Sequence, residues 1–87
     1  HTDTWVSMGQ EAEKAERLQI FGSYAVTKDL MSQAAPKAIF MHCLPAYRGY
    51  EVASEVIDGS ASRVIQQGHN RLHASRGVIA HMLGVKL

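Results

Sequence analysis

The stretch Phe40-Met41-His42-Cys43-Leu44-Pro45-Ala46-Tyr47-Arg48-Gly49 holds the only cysteine of the 87-residue chain, where an apolar run breaks at a proline. A single thiol there has two readings. Most free cysteines are small buried hydrophobes, whereas a nucleophilic thiol needs a base in reach. His42 is adjacent, but successive side chains of an extended segment point to opposite faces, so His42 and Cys43 make a poor dyad. The backbone favours a pocket position. Ala38 to Met41 reads as a short buried strand, and Leu44-Pro45 drives the chain out of any helix. Open α/β sheets place their ligands at the carboxyl ends of strands.

Two further segments carry candidate chemistry. Asp3-Thr4-Trp5-Val6-Ser7-Met8-Gly9 sets a carboxylate, a hydroxyl and a thioether ahead of a glycine. Alone, Asp3 reads as a turn or cap residue. In Asn70-Arg71-Leu72-His73, Asn70 reads as a helix cap and Arg71 as the first turn. A cation there opposes the helix dipole, which points to another reason for its presence. His69 and His73 are four apart and can share a helix face, the spacing of two-histidine zinc sites. No HExxH pattern accompanies them and Cys43 is distant in sequence, so surface or packing histidines are expected and no metal.

The elements that position these residues follow from composition and period. Gln10 to Phe21 is rich in helix formers, with Ala15, Leu18 and Phe21 on one face, and Gly22-Ser23 should stop it. Thr27 can cap a second short helix through Gln33, with Val26 and Met31 placed as a hydrophobic staple. After Pro36, Ala38 to His42 reads as a strand. Glu51 to Ile57 reads as a short helical turn ending at Asp58-Gly59, and Ser62 to Ile65 as a weaker strand. Arg71 to Leu83 is the clearest helix, its stripe formed by Leu72, Ile79 and Leu83, with His81 on the exposed side.

Composition bounds the function class. The hydrophobic share, 46%, is that of a globular chain, and nine basic residues against eight acidic ones leave a formal charge of +1. That balance argues against a nucleic-acid or membrane surface built on bulk charge. The apolar runs are too short for a spanning helix. One cysteine allows no internal disulfide, which fits a reducing compartment: cytoplasm, or the mitochondrial matrix or a plastid in a eukaryote. A chain of this length buries only about 60% of its unfolded surface. It begins at His1 rather than methionine, with no strand ahead of Asp3, so a piece of a longer protein is expected.

Taken together, the three motif segments, in this order and with this spacing, resemble the ornithine-binding half of ornithine carbamoyltransferases over essentially the whole chain. The resemblance implies an α/β fold: a partial Rossmann-like parallel sheet with flanking helices, part of a two-domain transferase whose other strands lie upstream. Residues 1–87 would be the C-terminal part of the ornithine-binding domain, with 70–87 as the C-terminal helix. The reaction implied is transfer of the carbamoyl group of carbamoyl phosphate to L-ornithine, giving L-citrulline and phosphate.

The same resemblance assigns residues. Cys43 is the catalytic group, set against the ornithine amine as a positioning and proton-handling side chain, not a covalent nucleophile. Carbonyls around Cys43 and Leu44 would receive carbamoyl N–H groups, and Arg71 would reach carbamoyl phosphate. Asp3 and Ser7 would take the α-amino group and its surroundings, and Met8 would cover the aliphatic stem from a loop hinged at Gly9. No organic cofactor or metal is implied. The partners implied are an N-terminal domain of the same protein and further copies in a homotrimer.

The chain departs from the family pattern at Gly68-His69, where Ala-Glu is usual, and it contains no Ser-x-Arg-Thr-Arg segment. A putrescine carbamoyltransferase shares the His-Cys-Leu-Pro motif, but putrescine has no α-carboxylate, so a loop with Asp3 and Ser7-Met8-Gly9 fits ornithine better. A non-catalytic module of a transferase fold is the third reading.

Overall fold

Glu, Ala, Lys, Arg, Leu and Gln dominate residues 11–21, all with low helix cost. The computed structural model describes residues 1–86. In it this segment opens as a 3₁₀ turn, Glu11–Glu13, and continues as helix α1, Lys14–Phe21. The turn sets two carboxylates at the positive helix end, and Glu13 pairs with Arg17 one turn on, at 2.9 Å. Gly22-Ser23 does not stop the winding. Gly22 keeps right-handed angles, and a second 3₁₀ turn, Gly22–Tyr24, follows. Trp5 stacks on Phe21 and Phe21 meets Tyr24 edge-on, which ties the N-terminal segment to this corner.

Helix α2, Lys28–Ser32, forms as its cap residue dictates: the Thr27 hydroxyl accepts the Leu30 N–H at 3.2 Å. Val26 and Met31 both pack against the core. Helix α3, Ser54–Ile57, is shorter than the composition implies, because Glu51 lies in a turn and Val52 in an isolated bridge ahead of it, both wholly buried.

The last helix differs most from expectation. Helix α4 runs Val64–Met82, so Val64 and Ile65 are helical rather than a strand. Burial of Val64 against Phe40, Val52, Val56 and Ile57 outweighs the β preference of branched side chains. Asn70 and Arg71 therefore sit well inside the helix, so Asn70 caps nothing and Arg71 carries no terminal dipole penalty. The helix ends in a Schellman pair around Gly84 (φ +76): Val85 N–H reaches the Ala80 carbonyl and Gly84 N–H the His81 carbonyl, both at 3.0 Å. The expected span 70–87 is thus displaced toward the N-terminus, and Leu87 lies outside the described residues.

The parallel sheet expected from sequence is not formed. Among the described residues there is no strand, only isolated parallel bridges at Thr2 with His42, Val26 with Val52, Phe40 with Ser62 and Arg48 with Val52. The hydrogen-bond donors show why. In the extended segment 38–44, Phe40 N–H reaches the Ala61 carbonyl, but Ala38 N–H closes a turn on Ala35. His42 N–H goes to the Gln67 side chain and Leu44 N–H to the His42 ring. A ladder needs successive backbone partners, and side chains take those places here.

The buried core is small: Phe40, Val52, Val56, Ile57 and Val64, with Val26, Met31, Leu44, Ala46 and Ala53 packed on it. The chain is a slab of 48 × 37 × 17 Å with a radius of gyration of 16.2 Å. A compact chain of this length would have about 12 Å. Ile65, Leu72, Val78, Ile79, Met82 and Leu83 along α4 are each more than half exposed. No helix among the described residues is long and apolar enough to cross a membrane.

Candidate functional site

The turn after Phe40 is built on a buried polar pair. His42 and Glu51 are both fully buried, with His42 Nε2 2.8 Å from Glu51 Oε1. The His42 Nδ1 atom accepts the Leu44 N–H at 2.8 Å, so the ring proton is on Nε2 and is donated to Glu51. Glu51 Oε1 also accepts the Tyr47 N–H at 2.8 Å, while Oε2 is buried with no protein partner. Gln67, from α4, accepts the His42 N–H at 3.1 Å. These bonds hold Leu44 at φ +61, a left-handed conformation that costs a branched residue about 1–2 kcal/mol. The Leu44–Pro45 peptide that follows is cis. Arg48 and Asp58 form a bidentate pair at the far end of the turn.

This anchoring leaves Cys43 on the opposite side, partly exposed. Its thiol donates to Asp3 Oδ1 at 3.1 Å, across forty residues of sequence. The same oxygen accepts the Thr4 N–H at 2.7 Å. The Cys43 hydrogen bond foremost, then the Thr4 N–H, hold the Asp3 carboxyl below the usual carboxylate range. The reciprocal effect raises the Cys43 thiol, first through the bond to Asp3, then through partial burial, then through the Asp3 charge. Both directions describe one arrangement: an ionised carboxylate receiving a proton that stays on sulfur. Both His42 nitrogens are committed elsewhere, so His42 does not activate the thiol.

Arg71 completes the cluster. From α4 its Nη1 donates to the Cys43 carbonyl at 2.6 Å. The carbonyl expected to receive a carbamoyl N–H thus already accepts from a guanidinium. Asp3, Cys43 and Arg71 are thus joined by hydrogen bonds, with Leu44 next in the chain.

Ser7 and Met8 are not brought together with them. Met8 is 96% exposed, and both line a separate cavity of about 160 Å³ with Trp5, Tyr47, Tyr50 and Glu51. The loop is held only by its own neighbours: Ser7 N–H to the Gln10 side chain and Gly9 N–H to the Glu11 carboxylate, each at 3.2 Å.

Sequence reasoning missed Glu51 and Gln67. One signal for Glu51 was present, a lone carboxylate inside the otherwise apolar run Tyr50-Glu51-Val52-Ala53. Gln67 carried none. His69 and His73 do share a face of α4, with their Nε2 atoms 3.0 Å apart. No cluster of three or more His, Cys, Asp or Glu side chains that could hold a metal exists among the described residues.

Comparison with known proteins places this geometry in a family. Residues 1–82 match the aspartate/ornithine carbamoyltransferase, Asp/Orn binding domain family. An ornithine carbamoyltransferase of Caldicellulosiruptor saccharolyticus is 57% identical over 79 residues, covering 91% of this chain and 26% of the relative. The solved ornithine carbamoyltransferase from Pyrococcus furiosus superposes with a TM-score of 0.81 at 56% identity, over 91% of this chain and 25% of that one. The anabolic enzyme from Campylobacter jejuni gives 0.89 at 39% identity, over 98% of this chain and 28% of that one. The chain therefore spans about a quarter of the length of the relatives it matches. An acid-paired thiol, a guanidinium on its carbonyl and a match across 82 residues make this chain a member of the aspartate/ornithine carbamoyltransferase family, in its Asp/Orn binding domain.

Proposed function

We propose that this segment supplies the amine-side half of an ornithine carbamoyltransferase site, which in the complete protein moves the carbamoyl group of carbamoyl phosphate to L-ornithine, giving L-citrulline and phosphate. The observation that carries this is the chain Asp3–Cys43–Arg71, which joins an anion, a neutral proton-bearing thiol and a cation. Asp3, held ionised, suits the α-ammonium of an amino acid. The protonated Cys43 thiol sits beside it as a polar contact for the side-chain amine. That amine must shed a proton to attack, since an alkylammonium titrates near 10. Arg71 supplies fixed positive charge beside the Cys43 and Leu44 carbonyls, where an anionic donor and a developing oxyanion are favoured. The remaining rate enhancement comes from orientation of two substrates.

In this reading Ser7 and Met8 reach the substrate only after their loop swings over it, Ser7 toward the α-carbon groups and Met8 over the methylene stem. Residues 1–87 then form the C-terminal part of the ornithine-binding domain. An N-terminal domain of the same protein supplies most carbamoyl phosphate contacts, and further copies complete a cytoplasmic homotrimer. Ornithine is favoured over putrescine because a simple diamine has no carboxylate for the Ser7 hydroxyl and the loop N–H groups to meet. The names of the relatives support the same choice.

The test is Asp3→Asn in the full-length protein. Loss of a charge-assisted hydrogen bond is worth about 1.5–3 kcal/mol, so KM for ornithine should rise roughly ten- to a hundredfold while KM for carbamoyl phosphate stays put. A KM for ornithine left within about twofold of the parent would overturn the assignment of Asp3. The isolated 87-residue chain should form no citrulline, and measurable turnover by it would refute the two-domain site.

A further inference from the structure

His69 and His73 stand one turn apart on the exposed surface of α4, their Nε2 atoms 3.0 Å apart and their rings crossed at 64°. Two neutral imidazoles meet this way when one carries its proton on Nε2 and the other offers a lone pair. The same separation is the bite of a metal chelate. Two nitrogens at about 2.0–2.1 Å from a tetrahedral zinc lie roughly 3.3 Å apart, and about 2.9 Å apart across the right angle of a square-planar ion. The rings are already inside that window, on a helix that fixes both Cα positions. We propose that His69 and His73 form a two-nitrogen chelate for a divalent transition cation of borderline softness, Zn²⁺ or Ni²⁺, with water in the remaining positions.

On binding, each ring carries its proton on Nδ1, both Nε2 lone pairs go to the ion, and neutral rings release no proton. With no third His, Cys, Asp or Glu in the cluster among the described residues, the site stays open to solvent and binds more weakly than a closed four-ligand centre. Arg71 is two residues from each histidine, about 200° round the helix from either one. The ion therefore staples the turn that carries Arg71 without touching the Cys43 side. This inference is independent of the proposed function.

Titration calorimetry of the full chain with Ni²⁺ tests it. One ion per chain is expected. His69→Ala and His73→Ala should each weaken binding roughly tenfold or more, because a chelate becomes a single ligand. Cys43→Ser should leave it unchanged. Undiminished affinity in either histidine variant, or loss of binding in Cys43→Ser, overturns the site. The unmodified chain offers a second readout: Zn²⁺ should shift the Nε2 nitrogen resonances of both histidines in NMR, and unshifted signals at saturating Zn²⁺ overturn the proposal as well.

Discussion

The turn from Phe40 to Val52 and the loop from Ser7 to Gly9 bear residues proposed for one site, yet they are held in opposite ways. The turn is anchored by a buried His42–Glu51 pair that reaches Leu44 and Tyr47 backbone donors, and by Gln67 from α4. The hydrogen bonds of the loop reach partners three residues away or fewer, and Met8 is almost wholly exposed. One half is built before any ligand arrives. The other has only local hydrogen bonds, which suits a loop proposed to close over a substrate.

The comparison breaks most visibly at Glu51. Glu51→Ala leaves the His42 Nε2–H and the Tyr47 N–H buried without an acceptor, at about 1–3 kcal/mol each. Urea unfolding of the full chain should show a loss of about 3 kcal/mol with an unchanged slope. A loss under about 1 kcal/mol would mean that the turn is held by its apolar neighbours instead.

Next in size is Gly9→Ala. Gly9 sits at φ +86, where a side chain is strained even though no atom crowds it. The cost should be about 1–2 kcal/mol in the loop's observed conformation. Because the loop is exposed and locally bonded, it can relax, so thermal unfolding of the whole chain should move less than in the Glu51 variant.

The Asp3–Cys43 bond joins the two regions and gives a pH signature. Asp3 is lowered from 3.8 by its bonds, so its contribution is present above that value and fades as pH falls through the lower folded pKa. Cys43 is raised from 9.0, so its contribution is present below that value and fades as pH rises through the higher folded pKa. Both groups are largely solvated, so the effect on stability is small. Thiol chemistry is the sharper readout. Asp3→Asn removes the charge that favours the protonated thiol, so Cys43 should alkylate faster at about pH 8. An unchanged rate would show that Asp3 does not control the thiol.

Met8→Ala should have the smallest effect on stability, within about 0.5 kcal/mol, since a 96% exposed side chain loses little on truncation. In the full-length protein the same change should raise KM for ornithine, and an unchanged KM would leave Met8 outside the closed site.

Much of the candidate site was legible because it lies in short contiguous motifs. Asp3, Cys43 and Arg71 lie in the motifs that carry the family resemblance, and Cys43 hydrogen-bonds to both of the others. The Thr27 cap was equally legible, since a cap needs only a hydroxyl and the N–H three residues on. The start of α4 was not. Val64 and Ile65 carry β-branched side chains, and only the Phe40 cluster into which Val64 packs makes helix the better outcome.

By itself, the sequence determined the family, the residues of the Cys43 cluster and the Thr27 cap, because each depends on residue identity within a few positions. Tertiary structure decided the rest. It turned the expected parallel sheet into isolated bridges by giving the His42 and Leu44 donors to Gln67 and the His42 ring. It buried Glu51 against a histidine nine residues away, and it set Arg71 inside a helix instead of at its start. Backbone donors and buried charges take whichever partner packing brings within about 3 Å, and that choice is made between segments, not within them.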